Sequence, residues 1–159
     1  MADLYDMPGH LVRRLHQISP ALFGARMAEA GIDLTSVQFA ALMAVRGNPG
    51  IDQATLAGLI AYDRVTIGGV VDRLVAKGLV AREVSPRDRR ARVLELSPAG
   101  QALLDRAMPA AELVQGDILS GLPPGDRDAF VALLRRATEA GNDHSRAPLI
   151  PRPPADTTE

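Results

Sequence analysis

The chain has 159 residues, 47% hydrophobic and 3% aromatic, with a formal net charge of −1; this suits one globular domain, with extensions, that can bury its own core. It contains neither Trp nor Cys, which argues against an aromatic platform for single-stranded bases and excludes disulfides, thiolate metal sites and a thiol redox switch. No apolar run approaches the roughly 18 to 20 residues of a membrane span and MADLYDMPGH lacks a signal-peptide pattern, so the cytoplasm is the expected compartment.

From Pro8 to Ala30, the residues Leu11, Leu15, Ile18, Leu22 and Met27 recur at helical spacing, predicting a long amphipathic helix with Pro8 in its first turn and Gly31 closing it. Its other face carries His10, Arg13, Arg14 and Gln17. A second helix starts at Thr35, where Gln38 completes a capping box, and buries Val37, Phe39, Leu42, Met43 and Val45 until Gly47-Asn48-Pro49-Gly50 breaks it. Asp52 caps a third helix, which turns Leu56, Ala57, Leu59 and Ile60 inward, and Asp63 caps a fourth. The helices from Ala54 to Ala61 and from Arg64 to Lys77 thus read as a helix-turn-helix. The second of them is expected to bury Val65, Val70, Val71, Leu74 and Val75 and to end at Gly78.

The pattern then becomes β-like. Leu79, Val80 and Val84 precede Ser85-Pro86-Arg87-Asp88, and Val93, Leu94 and Leu96 resume the apolar run, which predicts a hairpin with a charged tip. Arg82, Arg87, Arg89, Arg90 and Arg92 face only Glu83 and Asp88, a local excess of three positive charges. Such a run is often just a solvated face. Arginines clustered at a tip gain little stability from one aspartate, however, whereas phosphate contact uses them well. A helix followed at once by a basic hairpin is the pattern of a winged helix, whose helix enters the major groove while the hairpin straddles the backbone or reaches the minor groove. The first residues of that helix, Arg64, Val65, Thr66, Gly68 and Gly69, then meet base edges, with Gln53, Thr55 and Arg73 as further DNA contacts. Each glycine costs about 1 kcal/mol of helix propensity. Close approach of backbone to DNA, or of this helix to its neighbour, would explain that cost.

Ser97-Pro98 starts a fifth helix, whose stripe of Leu103, Leu104, Met108, Leu113, Val114, Ile118 and Leu119 runs to about Ser120 with a kink expected at Pro109. After Leu122-Pro123-Pro124-Gly125-Asp126, a last helix sets Phe130, Leu133, Leu134 and Ala137 on one face and ends at Gly141-Asn142. Residues 143–159 hold four of the twelve prolines and no periodicity, and are expected to be extended or disordered. The chain accordingly divides into 1–34, 35–98, 99–142 and 143–159. His10, His16 and His144 lack metal-protease spacing, and neither a nucleophile elbow nor a phosphate loop is present, so no enzyme, metal site or cofactor is expected.

The run VVDRLVAKGLVAREVSPRDRR from Val70 to Arg90 resembles the recognition helix and first wing strand of the multiple-antibiotic-resistance regulator (MarR) family of bacterial transcription factors. The family's Asp-x-Arg, followed six residues after the Arg by Leu-Thr, stands here as Asp88, Arg90, Leu96 and Ser97, with Ser in place of Thr. The resemblance implies a mainly α fold with a small β-hairpin wing: a winged helix-turn-helix flanked by long N- and C-terminal dimerisation helices. It implies a homodimer on a pseudo-palindromic site in double-stranded DNA, working in the bacterial cytoplasm and on the nucleoid when bound, as a repressor released by a small aromatic carboxylate or phenolic ligand. By the same resemblance, Arg90 enters the minor groove, Asp88 orients it through a salt bridge, and Arg87 and Arg89 sit near phosphates. Leu4, Leu11, Leu15, Phe130, Leu133 and Leu134 fall in the dimer interface, and His10 with Arg14 forms an anion-binding wall whose apolar side is Phe39 or Met43. Periodicity alone leaves bland alternatives open: a monomeric helical core, an exposed polar face on the first helix, or a winged-helix protein-interaction module without specific DNA binding, for which Gly68-Gly69 is the best argument.

Overall fold

The computed structural model describes residues 3–85, 88 and 92–151. In chain order the elements are α1 (Pro8–Glu29), α2 (Ser36–Gly47), β1 (Ile51–Asp52), α3 (Gln53–Leu59), α4 (Arg64–Ala76), β2 (Val80–Val84), β3 (Arg92–Leu96), α5 (Pro98–Ile118) and α6 (Pro124–Ala140). The expected order of helices and the wing hairpin are present, and the fold is a winged helix with long helices before and after it. Among the described residues, no single helix is long and apolar enough to cross a membrane.

Local chemistry sets the helix starts. Thr35 Oγ1 accepts from the Gln38 amide at 3.2 Å while Gln38 Oε1 accepts from the Thr35 amide at 3.1 Å, the reciprocal box that the sequence predicts. Asp63 accepts the Val65 and Thr66 amides at 2.8 and 3.2 Å, and these bonds hold its carboxyl below the usual carboxylate range. Burial pushes the Asp52 carboxyl up, but bonds from the Thr55 hydroxyl at 2.6 Å and amide at 2.9 Å outweigh it and leave the group lowered.

Three helices share one way of ending. In α1, α3 and α4 a late amide reaches back five residues, from Ile32 to Met27 at 2.8 Å, Tyr62 to Ala57 at 2.9 Å and Leu79 to Leu74 at 2.9 Å, with the preceding residue in left-handed backbone. Gly31 and Gly78 take that conformation freely. Ala61, at φ 50°, takes it with a Cβ, inside the turn that joins the two helices of the helix-turn-helix.

The core is aliphatic, as the scarcity of aromatics requires. Leu42, Leu56, Ile67, Leu74, Leu94 and Leu104, from five different elements, are all fully buried, and Phe23 of α1 meets Phe39 of α2 with centroids 5.5 Å apart. In the sheet β3 lies centrally, antiparallel to β2 through Val80↔Leu96 and Val84↔Arg92, and to β1 through Ile51↔Leu94. β1 was not expected. Two residues show no alternation to detect, and Asp52 serves at once as strand end and helix cap.

Recognition helix, wing and α5 converge on Leu79. Its carbonyl accepts the Ser97 amide at 3.0 Å, Ser97 Oγ donates to the Gly78 carbonyl at 2.6 Å, and the same oxygen accepts the Gly100 amide at 2.9 Å. A Cβ on Gly100 would lie 2.1 Å from the Leu79 carbonyl oxygen, so only glycine lets α5 approach this closely.

Several expectations need correction. Val65 is 91% exposed and Val75 is also exposed; the buried stripe of α4 is Ile67, Val70, Val71 and Leu74, a continuous i, i+3, i+4, i+7 arc from which Val65 points away. Ile18 and Leu113 are exposed in the protomer rather than buried by it, and α6 buries no residue at all. α5 continues through Pro109, as the helical pattern on both sides of that proline predicts, and α1 continues through Pro20. The tail is extended up to residue 151, yet it is tied down: Asn142 bonds the Leu149 backbone twice, at 2.8 and 3.1 Å, and the Ile150 amide donates to the Gly58 carbonyl at 2.9 Å.

Two stability outcomes are expected from unfolding at a fixed protomer concentration. Gly100→Ala should cost on the order of 3 kcal/mol because backbone, not a movable side chain, stands in the way, whereas Ala61→Gly should add about 1 kcal/mol by removing the left-handed Cβ. A third concerns acid. Because folding depresses the Asp63 carboxyl, the stabilisation from its ionised cap is complete above the ordinary carboxylate range and fades as pH falls below about 4. Thermal scans of Asp63→Asn, which keeps a capping oxygen without the charge, should therefore show a shallower loss of stability between neutral pH and pH 2.

Candidate nucleic-acid interface

With Ile67, Val70, Val71 and Leu74 turned inward, the opposite arc of α4 is Val65, Gly69 and Arg73, with Arg64 and Thr66 exposed on its flanks. Five of the residues predicted to meet DNA thus share one open side of the helix. Gly68 does not. It is half-buried, and a Cβ there would meet Gln53 Nε2 of α3 at 3.4 Å, an ordinary contact, so it faces α3 while Gly69, with nothing within 4 Å, faces open space. The Thr55 hydroxyl is engaged by Asp52 and the Thr66 hydroxyl lies 3.3 Å from Asp63, so both predicted contact residues also belong to caps. Val65 is the residue that the buried-stripe assignment obscured: an apolar tip at the front of the helix is suited to a thymine methyl group in the major groove.

Ion pairs fix the wing and the helix relative to each other. Arg82 on β2 pairs with Asp72 on α4, so this arginine braces the wing strand rather than extending from it. At the far end of α4, Lys77 Nζ donates to the Asp33 carboxylate at 2.6 Å and to its carbonyl at 2.9 Å, tying the helix to the loop before α2. The Asp88 amide donates to Ser85 Oγ at 3.3 Å, and Arg92 is exposed where β3 leaves the tip. Arg87, Arg89 and Arg90, the predicted phosphate and minor-groove residues, lie outside the described residues.

On the other side of the molecule, Arg26 of α1 holds Asp117 of α5 by two parallel bonds of 2.6 and 2.9 Å; this arginine keeps the Asp117 carboxyl below its usual range. Beyond that clamp, α1, α5 and α6 surround an open apolar groove of about 460 Å³ lined by Val12, Leu15, His16, Phe130, Val131 and Leu134. Leu4, Leu11 and Leu133, also predicted for the dimer interface, are exposed nearby in sequence, Leu133 at 61%. Val12 and Val131 were missed, although Val12, Leu15 and Ser19 already follow helical spacing.

The predicted ligand residues are not gathered within one protomer. His10 packs edge-on to Tyr5, Arg13 donates to Gln17 at 3.2 Å, and Arg14 is exposed with no hydrogen bond or ion pair among the described residues. Phe39 and Met43 are half-buried against the core, and Met43 Sδ accepts from Arg46. Phe39 lies on Phe23, about two and a half helical turns from Arg14 and hence on the opposite side of α1.

Comparison with known proteins gives this geometry its context. The family model described as MarR family matches residues 32–91, from the loop before α2 to the wing. The HTH-type transcriptional repressor NicR of Pseudomonas putida is 36% identical over 138 residues, covering 87% of this chain and 86% of that protein. A structure of Bordetella bronchiseptica BpsR, solved to explain how 6-hydroxynicotinic acid regulates its DNA binding, superposes with a TM-score of 0.80 at 33% identity, covering 87% of this chain and 98% of that one. The transcriptional repressor CouR, bound to a 23-mer DNA duplex, superposes with a TM-score of 0.77 at 29% identity, covering 87% and 96%. These likenesses include the long outer helices as well as the winged helix, and the chain belongs to the MarR family of dimeric, winged-helix, DNA-binding transcription regulators.

Proposed function

We propose that the protein is a repressor that leaves its operator when a small aromatic or heteroaromatic carboxylate binds, and that it acts in the cytoplasm by binding alone, without catalysing a reaction. The observation that carries this reading is the likeness, over 87% of the chain, to a repressor, NicR, and to BpsR, whose DNA binding 6-hydroxynicotinic acid regulates. On the operator, the Val65–Gly69–Arg73 face of α4 reads the major groove, with Arg64 and Thr66 beside it and Gln53 and Thr55 at its edge. Arg90, oriented by Asp88, enters the minor groove, and Arg87 and Arg89 meet phosphates. Two such modules in a symmetric dimer reach successive major grooves, held by the apolar residues of α1 and α6 that a single protomer leaves exposed.

For the ligand, Arg14 is the candidate carboxylate partner, since an exposed guanidinium without a partner among the described residues can form a bidentate pair with an acid. His10, one turn before it, adds a second donor. Phe39 and Met43 offer the apolar side for the ring. Because Arg14 and Phe39 lie on opposite sides of α1, such a pocket takes its acid-binding wall and its apolar side from different protomers. A ligand there acts on the relative placement of the two chains, and so favours a spacing of the two α4 helices that no longer fits successive grooves.

The test is a titration of operator binding with a panel of aromatic acids that includes 6-hydroxynicotinic acid. Wild type should be released by at least one of them. Arg14→Ala should bind the operator as wild type does yet need at least about tenfold more acid for release, and full release at wild-type acid concentrations would refute the assignment. Arg90→Ala should show the reverse, weakening operator binding by roughly 1 to 3 kcal/mol.

A further inference from the structure

The segment after α6 does more than end the chain. From Gly141 it turns through the 3-10 turn Asn142–His144 and runs back across the helix-turn-helix. It is pinned at both ends of this course. On one side of residue 146, the Ser145 amide donates to the Asn142 carbonyl at 3.0 Å and Ser145 Oγ accepts the Ala147 amide at 3.1 Å. On the other, the Asn142 side chain bonds the Leu149 amide and carbonyl, and the Ile150 amide donates to Gly58 of α3. Gly58 makes room for this contact, since a Cβ there would already stand 3.1 Å from Ile150 Cβ. The strap therefore has a defined seat, and a groove of about 300 Å³ separates its Arg146 and Pro148 from Tyr62, Asp63 and Arg64 at the front of α4.

Arg146 is exposed, belongs to no ion pair of 4 Å or less among the described residues, and stands close enough to Asp63 to act electrostatically on its carboxylate. That position has a consequence for a DNA-binding face. The Asp63 carboxylate caps α4 at the end that approaches DNA, where it opposes the phosphates, and a cation carried beside it offsets that charge. We propose that the strap of residues 142–151 presents Arg146 beside the front of α4 as a DNA-backbone contact, giving each protomer a phosphate-binding group outside the helix-turn-helix and the wing. The proposal rests on the DNA-binding activity of the family. Phosphate is the chemistry recognised, so Arg146 adds affinity and salt sensitivity on any sequence and leaves base preference to α4 and the wing.

The experiment is operator binding by the full-length dimer across a salt series, for wild type, Arg146→Ala, Arg146→Lys and Asn142→Ala. Wild type sets the slope of log affinity against log salt. Arg146→Ala should reduce that slope by about two for the dimer, one phosphate per protomer, with about tenfold weaker binding at low salt. Arg146→Lys should keep the slope. Asn142→Ala keeps every charge but frees Leu149, and should lose affinity in the same direction. An unchanged slope in Arg146→Ala overturns the proposal whether or not affinity falls, because a purely structural role for the strap would leave the phosphate count alone. Wild-type affinity in Asn142→Ala also overturns it, by showing that the strap does not place the arginine. A wild-type protein without a salt-dependent operator complex would instead remove DNA binding itself, an outcome distinct from the other two.

Discussion

One close approach governs how the parts of this molecule relate. The carbonyl of Leu79 lies against Gly100, and Ser97 joins the two by donating to Gly78 and accepting from Gly100. Leu79 ends α4, opens the wing and touches the first turn of α5, so the element that reads DNA, the element that grips the backbone and the helix that leads to the partner subunit have one shared pivot. Side-chain packing could tolerate some slippage between such elements. A carbonyl seated on a glycine cannot, and this makes the angle between α4 and α5 a property of backbone geometry.

The rest of the structure divides into a closed half and an open half. Around the pivot, Leu42, Leu56, Ile67, Leu74, Leu94 and Leu104 form a complete core, closed at its rim by Arg82–Asp72 and Lys77–Asp33. Away from it, α1 and α5 are joined by Arg26 and Asp117, while α6 contributes nothing to the protomer's interior. Both α1 and α5 nevertheless close the core of the DNA-binding half, through Phe23, Met27 and Leu104, so α6 is the helix that stands outside it.

Much of this was legible in the sequence, for a physical reason. Caps and helix exits are local, so Thr35 with Gln38, Asp63, Ser97 and Gly78 announce their roles within a few residues. What was illegible depends on contacts between distant segments. β1 exists because Ile51 finds Leu94. Gly68 and Gly69 look alike in sequence but differ because Gln53 stands over only one of them. Val65 fits an apolar stripe by residue type, and only the angle at which α4 meets the core turns it outward. The seat of the strap was illegible because the Ile150 amide finds the Gly58 carbonyl across the fold, where the absence of a side chain at Gly58 leaves room. The ligand residues were plausible one by one, but Arg14 and Phe39 sit on helix faces whose opposition appears only when Phe23 is seen against Phe39.

Gly69 has one more implication. It occupies the middle of the exposed face of α4, its helical backbone suits any residue, and nothing lies within 4 Å of the place a side chain would start. In the language of information, it is a blank symbol in the reading frame of the protein: the fold neither demands the glycine nor resists its replacement. Thr55 and Thr66, by contrast, also bond the capping carboxylates Asp52 and Asp63, so changing either alters two properties at once. At Gly69 a side chain can be introduced with wing placement and core packing left as they are.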